Sequence, residues 1–365
     1  MSKILLVGGA GYIGSVLVRE LFERGYAVRV LDRLFYGGQG LAGISDRVEI
    51  IAADMRRLEP AHLAGVDAVI NVGGLSNDPT AEYKPAANRE MNTVSAVRLA
   101  ELAQAAGVRR YILASSCSIY DLGATDDQGD LLCDEDAEVH PRAAYATSKF
   151  EAEQQLRAMA GPEFCPVFLR KGTVYGFSPR LRFDLVVNTF VRDALTTGTI
   201  ILFRGGEMWR PLVDVHDVAR AYIACLAADE ALVRGQVFNV AYCNMRISEL
   251  ALRVRGTLRE LGVSVDICPD YTYCAVRSYR VSTQKIERVL GFKAIVSVED
   301  AVRELVQQLR GRKIEDLTHP RYDNLRWLRV LEEAEGILGF RRSVFDAPAE
   351  GAVRLTTTPL RRVQQ

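Results

Sequence analysis

Along the first half of the chain, short and almost wholly apolar runs alternate with longer stretches whose apolar positions recur every three to four residues. KILLVGG leads into YIGSVLVRELFERG. AVRVLD, VEIIAAD and VDAVINVGG follow, and MNTVSAVRLAELAQAAGV then leads into RRYILASS. Runs of this length between turn residues predict strands, and the helical spacing predicts the segments that join them. These strands lack the in-out alternation of a half-exposed sheet, so helices are expected on both faces. A βαβ series of this kind predicts a parallel sheet in the α/β class. FCPVFLRKGTVYG adds one more buried strand before the pattern changes at about residue 176. The segments that follow are longer, more mixed and richer in arginine. They predict a smaller mixed α/β lobe over 177–312, interleaved with a return strand near 211–240. The acidic, glycine-containing stretch Gly123–Glu138 is read as a loop over or beside a site. From about residue 312 the pattern weakens. Residues 313–365 are therefore read as an extension, and its end, GAVRLTTTPLRRVQQ, as a poorly ordered tail.

Composition acts mainly by exclusion. At 365 residues and 48% hydrophobic, the chain can bury a full-sized core. Lysine plus arginine equal aspartate plus glutamate at 46 each, so no overall field draws it to nucleic acid or an anionic membrane. The seven cysteines, at 117, 133, 165, 225, 243, 268 and 274, are scattered and form no CxxC. That argues against a disulfide framework and against a zinc site, and no metal is expected. With no apolar leader and no run of about 20 apolar residues, the expectation is a soluble cytoplasmic protein with reduced thiols.

KILLV runs straight into Gly8-Gly9-Ala10-Gly11-Tyr12-Ile13-Gly14, and a helical pattern opens at once. Gly8 and Gly11 let the backbone turn tightly and approach a pyrophosphate, while Gly14 lets helix and strand pack closely. The diphosphate of a dinucleotide then faces the helix N-terminus, whose unpaired amides and dipole favour negative charge. A glycine triplet alone is equally a tight turn. Strand, helix and acid together predict a doubly wound, Rossmann-type dinucleotide site. The acid is Asp32, eighteen residues past Gly14, where a carboxylate accepts both ribose hydroxyls of NAD and repels a 2′-phosphate. A loop cap is the alternative for Asp32. Arg33 beside it keeps NADP admissible, so NAD is the expected cofactor and NADP the second choice.

Tyr145-Ala-Thr-Ser-Lys149 opens a further helix, and its i,i+4 spacing puts both side chains on one face. A tyrosine of ordinary pKa is a poor base at neutral pH. A lysine ammonium and a nicotinamide cation would both favour its phenolate, which could then take a hydroxyl proton as hydride leaves the same carbon. An ordinary amphipathic helix is the alternative. Ser116 ends the strand before Cys117-Ser118-Ile119-Tyr120, at the carboxyl edge where such sheets carry their sites. It either bridges a substrate oxygen to Tyr145 or caps a turn.

GGAGYIG, Asp32, Ala53-Asp54, Asn71-Val72-Gly73-Gly74, Ser116 and YATSK together resemble the extended short-chain dehydrogenase/reductase family, in its nucleotide-sugar epimerase and dehydratase branch. The likeness runs from residue 3 to about 310, with Arg170–Gly176 similar to a later strand and turn and Trp209–Val218 to a late return strand. It implies a Rossmann doubly wound parallel sheet over 1–176, a substrate lobe over 177–312, bound NAD and a nucleotide-diphosphate sugar substrate. It further implies that Asp54 and Met55 hold the adenine. Tyr12, Ile13, Val72, Gly73, Gly74 and Asn92 would line the cofactor, and Lys149 would also hold the nicotinamide ribose. Arg210, Arg277 and Asn188 match positions that grip the nucleotide diphosphate, a task that suits the planar guanidinium. A surface ion pair is the alternative for each arginine. Ser76 falls where the sugar is touched. Relatives pair the YxxxK helix with the helix near MNTVSAVRLAELAQAAG into a homodimer, so a homodimer is expected, and simple packing on the sheet would equally explain the apolar stripes.

The departures bear on the reaction. In the family's 4,6-dehydratases the two residues after the catalytic hydroxyl are an acid pair or carry a glutamate, whereas here they are Cys117 and Ser118. Without that carboxylate, oxidation and return of hydride become the expected chemistry, and the resemblance implies an epimerase. A thiol beside a ketone could move a proton at an adjacent carbon, so a 4-ketoreductase, or a dehydratase using Cys117, is the second reading; a buried structural Cys117 is the alternative. A non-catalytic NAD-binding interaction protein is the third. Asn71-Val-Gly-Gly, Thr173 and Phe177 also depart from the family's usual residues around the sugar pocket.

Overall fold

The structure, a computed structural model, describes residues 1–121, 132–272, 277–312, 314, 316–338 and 345–346. Part of the acidic stretch, Cys274 and the tail after residue 350 lie outside the described residues. The early strands are β1 (Lys3–Val7), β2 (Ala27–Asp32), β3 (Glu49–Ala52), β4 (Ala68–Asn71) and β5 (Arg110–Ser116). After them come β6 (Leu132–Cys133), β7 (Cys165–Lys171), β8 (Thr173–Tyr175), β9 (Thr199–Phe203) and β10 (Trp209–Asp214). The last are β11 (Val237–Val240), β12 (Cys243–Arg246), β13 (Asp266–Asp270) and β14 (Arg280–Val281).

Seven strands form one parallel sheet in the order β11-β7-β5-β4-β1-β2-β3. Strand β1 shows why the sequence does not alternate in polarity. Its Ile4 and Leu6 join the core beneath the Tyr12–Glu23 and Val215–Ala227 helices. Leu5 and Val7 point the other way, into the core shared with Leu99, Ala103 and Leu156 of the Ser95–Ala105 and Ala144–Ala158 helices. Both faces are dry, and the four buried residues of β1 are accordingly all apolar. The strand order reverses between β1 and β4, which opens a crevice at the carboxyl edge of the sheet.

The return to this sheet is made by β11, which pairs with β7. Trp209–Asp214, expected as the late return strand, instead forms β10 of a separate three-stranded sheet with β8 and β12. Gly172 is the cause. A Cβ there would lie 2.7 Å from the carbonyl oxygen of Pro211, so only glycine lets the chain leave β7 and run against β10. The smaller lobe has its own core, in which Phe190, Leu250, Val254, Val302 and Leu305 from three helices pack together. Beyond it, the helix Asn324–Ile337 comes back to the main sheet's crevice, with Leu328 fully buried against Leu75, Met91 and Phe345. Among the described residues, no helix is long and apolar enough to cross a membrane.

Candidate active site

The crevice holds two adjoining cavities. The first lies over the glycine turn and the ends of β2 and β4. Gly8 has φ +82°, and a Cβ on it would sit 2.7 Å from the Cα of Gly73, so the two loops touch through backbone alone. At Gly14 a Cβ would lie 2.1 Å from the carbonyl oxygen of Gly8. The Tyr12–Glu23 helix therefore starts directly behind the turn, and Gly11 at its N-cap provides no side-chain cap to its first amides. This bare helix end on a backbone cradle fits a dinucleotide diphosphate.

Asp32 lines the same cavity. Its carboxylate accepts from the backbone amides of Ala10 (2.9 Å) and Leu34 (2.7 Å), so it fixes the glycine turn. Burial raises its pKa, and those two amides oppose the rise. Asp54 caps a 3-10 turn and is gripped by Arg56 (2.7 Å) and Arg33 (3.0 Å). Burial works to raise its pKa, but the Arg56 hydrogen bonds outweigh it and hold the carboxyl below its ordinary value. Met55, Val72, Gly73 and Gly74 are all on the wall. Asn92 is not. It is buried behind Gly74, where it donates to the carbonyl of Leu75 (2.9 Å) and to Asn88 (2.6 Å), and it shapes the cofactor loop from beneath.

The second cavity continues from the first and contains Ser116, Ser118, Tyr145, Lys149, Arg210 and Arg277. Tyr145 sits in the first turn of its helix, on the same cavity wall as Ser116. Burial, then the charge of Asp78, push its phenol up to about 12, against the opposing pull of Arg182, Arg277 and Ser116. The Lys149 ammonium stands 5.8 Å from the Tyr145 ring centroid, and burial lowers it to about 8, with Glu153 opposing. Arg277 is anchored by Asp78 and runs close to Asp121, while Arg210 donates to the carbonyl oxygens of Trp209 (2.8 Å) and Arg277. Ser76 accepts from Arg182 (3.2 Å) and Asn324 (2.8 Å) at the junction of the two cavities.

Two expected site residues are elsewhere. Cys117 is fully buried, donates to the carbonyl of Arg170 (3.0 Å) and faces neither cavity. It starts a 3-10 turn, which swings its thiol into the cluster with Ile119 and Tyr279 and leaves the next residue, Ser118, facing the cavity. Burial pushes its thiol far above the ordinary range, which favours the neutral thiol. Asn188 is also fully buried: its amide spans Gly176, Tyr12 and Arg182, which pins the lobe to the glycine helix and leaves nothing to offer a diphosphate.

Sequence reasoning missed Lys171, Asp78, Arg180, Arg182 and Asn324, all of which line one or both cavities. Lys171 donates to the carbonyl of Ser115 at 2.6 Å, and burial followed by the charge of Lys149 lowers it to about 7. A lysine depressed in the folded state binds its proton more weakly there than in the unfolded chain. Its contribution to stability therefore rises with pH, between about 7 and the ordinary lysine value. Lys171→Met should then raise the melting temperature more at pH 6 than at pH 9, by about 2–4 °C, in paired thermal melts. An equal shift at both pH values would contradict a buried charge at this position.

Sequence comparison follows the same geometry. The model of the NAD dependent epimerase/dehydratase family matches residues 4–241. A putative UDP-glucose 4-epimerase of Methanocaldococcus jannaschii is 28% identical over 61% of this chain and 73% of its own length. UDP-glucuronic acid decarboxylase 1 of Xenopus tropicalis is 23% identical over 84% of this chain and 72% of its own. Among solved structures, DesIV, a dTDP-glucose 4,6-dehydratase from Streptomyces venezuelae solved with NAD and TYD bound, superimposes with a TM-score of 0.72 at 27% identity. That match covers 85% of this chain and 98% of the other.

Proposed function

The chain belongs to the NAD-dependent epimerase/dehydratase family, and on that premise we propose that it is a nucleotide-sugar epimerase that oxidises one sugar hydroxyl and returns the hydride to the opposite face. The observation that carries this reading is the pair after Ser116. Removing water, or moving a proton at carbon, needs an acid and a base beside the sugar. At this position the cavity receives only the neutral hydroxyl of Ser118, while Cys117 is turned into the core. The other charged candidates in that cavity are engaged: Asp78 is paired with Arg277, Asp184 with Arg182, Asp323 caps the Asn324–Ile337 helix, and Lys171 donates to the Ser115 carbonyl.

In this reading the family's cofactor, NAD, supplies reversible hydride acceptance when bound over the glycine turn. Tyr145 takes the proton of the reacting hydroxyl, and Ser116, on the same cavity wall, bridges the substrate oxygen to it. Nearby cations oppose the burial of the phenolate: Arg182 and Arg277 pull the phenol down, and a Lys149 ammonium 5.8 Å from the ring, with the nicotinamide cation, would add to them. Lys149 also holds the ribose nearest the reacting carbon. Arg210 and Arg277 pair with the substrate's diphosphate, and Asp32 with the adenosine ribose.

Incubation with UDP-, dTDP-, GDP- and CDP-sugars, read by product mass and stereochemistry, tests the proposal. An epimer of unchanged mass supports it. A product lighter by water or carbon dioxide, or steady consumption of reduced cofactor, replaces it with a lyase or a ketoreductase. Cys117→Ala should leave turnover within about twofold of the parent and cost on the order of 1 kcal/mol in stability, measured by initial rates and denaturant unfolding. Loss of turnover in a folded Cys117→Ala protein would restore the thiol to the chemistry.

A further inference from the structure

Arg180 is a buried cation without a counter-ion. The residue is 6% exposed and lines the first cavity beside the glycine turn and Asp32. Its guanidinium lies over the Tyr36 ring at 3.9 Å, and one terminal nitrogen donates to Asn324 Oδ1 at 2.5 Å. Its Nε is buried with no hydrogen-bond partner, and it forms no ion pair among the described residues. Arg182, two residues on, shows the contrast: it is closed by Asp184 at 2.8 Å. Asp184 and Asp32 are near enough to attract Arg180 electrostatically, yet the first is bound by Arg182 and the second is taken by the Ala10 and Leu34 amides. Burying a guanidinium in this way is costly unless an anion completes it.

We propose that this anion is the diphosphate of the bound NAD, that Arg180 is its side-chain partner opposite the bare helix N-terminus, and that Asn324 is the positioning residue that aims it. The assignment rests on the NAD reading of the first cavity. Two other phosphate sources fit less well. The sugar nucleotide's diphosphate belongs to the second cavity, which Arg210 and Arg277 line and Arg180 does not. A 2′-phosphate of NADP would stand against the Asp32 carboxylate.

Asn324 brings in a part of the chain that lies well beyond the matched residues 4–241. Its side chain is buried, accepting from Arg180 and donating to Ser76 at 2.8 Å. The helix it opens is tied down on the cofactor side of the crevice. Trp327 Nε1 donates to the carbonyl of Phe35 at 2.6 Å, and Arg56 donates to the carbonyls of Phe345 and Asp346, each at 2.7 Å. The C-terminal segment thus completes the cofactor site by fixing the cation that faces the phosphates.

Calorimetric titration of the full-length, cofactor-stripped protein with NAD, ADP-ribose, NADP and adenosine tests this. Arg180→Met should weaken NAD and ADP-ribose alike, by about 10- to 100-fold, and leave adenosine within twofold. Asn324→Asp, nearly isosteric, gives Arg180 a competing carboxylate, so it should weaken the same two ligands while the melting temperature of the free protein holds or rises. The assignment is overturned if NAD binding stays within twofold of the parent in both variants. It is equally overturned if adenosine falls as far as ADP-ribose, or if only NADP is affected. A parent that binds neither NAD nor ADP-ribose overturns the cofactor reading and this assignment together; normal parental binding with unchanged variants removes Arg180 alone.

Discussion

Tyr145→Phe should lower turnover by about 10²–10⁴-fold while the protein still purifies with NAD. The substitution removes one oxygen and leaves the ring in place beside the Lys149 ammonium. In the proposed mechanism only the proton acceptor at the reacting hydroxyl is lost, since Tyr145 does not line the cavity formed by the glycine turn, Asp32 and the β4 loop. The measurement is paired: turnover on the accepted nucleotide sugar, and nicotinamide content after denaturation. Parental turnover in the variant would remove Tyr145 from the chemistry. Loss of NAD with loss of turnover would make it a structural residue of the cradle.

Gly14→Ala should be more damaging still, and in a different way. The added Cβ would meet backbone on two sides, 2.1 Å from the Gly8 carbonyl oxygen and 2.6 Å from the Gly9 Cα, and neither can rotate aside as a side chain could. Helix and turn must separate, which costs on the order of 3 kcal/mol and opens the cradle. The expected result is a lower unfolding midpoint in denaturant together with loss of copurified NAD. Gly256→Ala is the control, because a Cβ there meets nothing within 4 Å and the glycine lies inside the Ile247–Glu260 helix. It should leave both readouts unchanged or raise stability by a few tenths of a kcal/mol.

The part of this site that could be read from the sequence is the part made locally. The glycine turn, Asp32 at the end of β2, and the Tyr145/Lys149 pair each depend on residues within one strand, one turn or one helix face, so spacing alone reveals them. The parallel sheet was legible for the same reason, through strands too apolar to have a wet face. What escaped depends on chain segments far apart meeting in space. Asn324 reaches Arg180 across 144 residues, and Arg277 reaches Asp78 across 199. No periodicity encodes such pairs. A partial signal was available: PRLRFD after the β8 turn places two arginines before an acid, and only one of them has a partner in that acid. Likewise Asp323, with Leu325, Leu328 and Leu331 following, is a capped amphipathic helix in a region that read as weakly patterned.

Cys117 and Asn188 failed for the opposite reason. Each is of a residue type and at a position that invited a chemical role. The 3-10 turn Cys117–Tyr120 at the end of β5 sends the thiol inward and the Ser118 side chain outward, and the Asn188 amide is consumed in joining the lobe to the glycine helix. Position in a motif says which residue is near a site. Which way its side chain points is decided by the packing around it.

The return of hydride to the same carbon is the central claim, and isotope labelling at that carbon tests it most directly. A nucleotide sugar deuterated at the carbon whose configuration changes should give an epimer that keeps its deuterium, takes up none from the solvent in deuterated water, and leaves the enzyme's nicotinamide in its starting redox state. Deuterium washed out to solvent, or label left on released reduced cofactor, would contradict hydride return and place the chemistry at an adjacent carbon or in a net redox reaction.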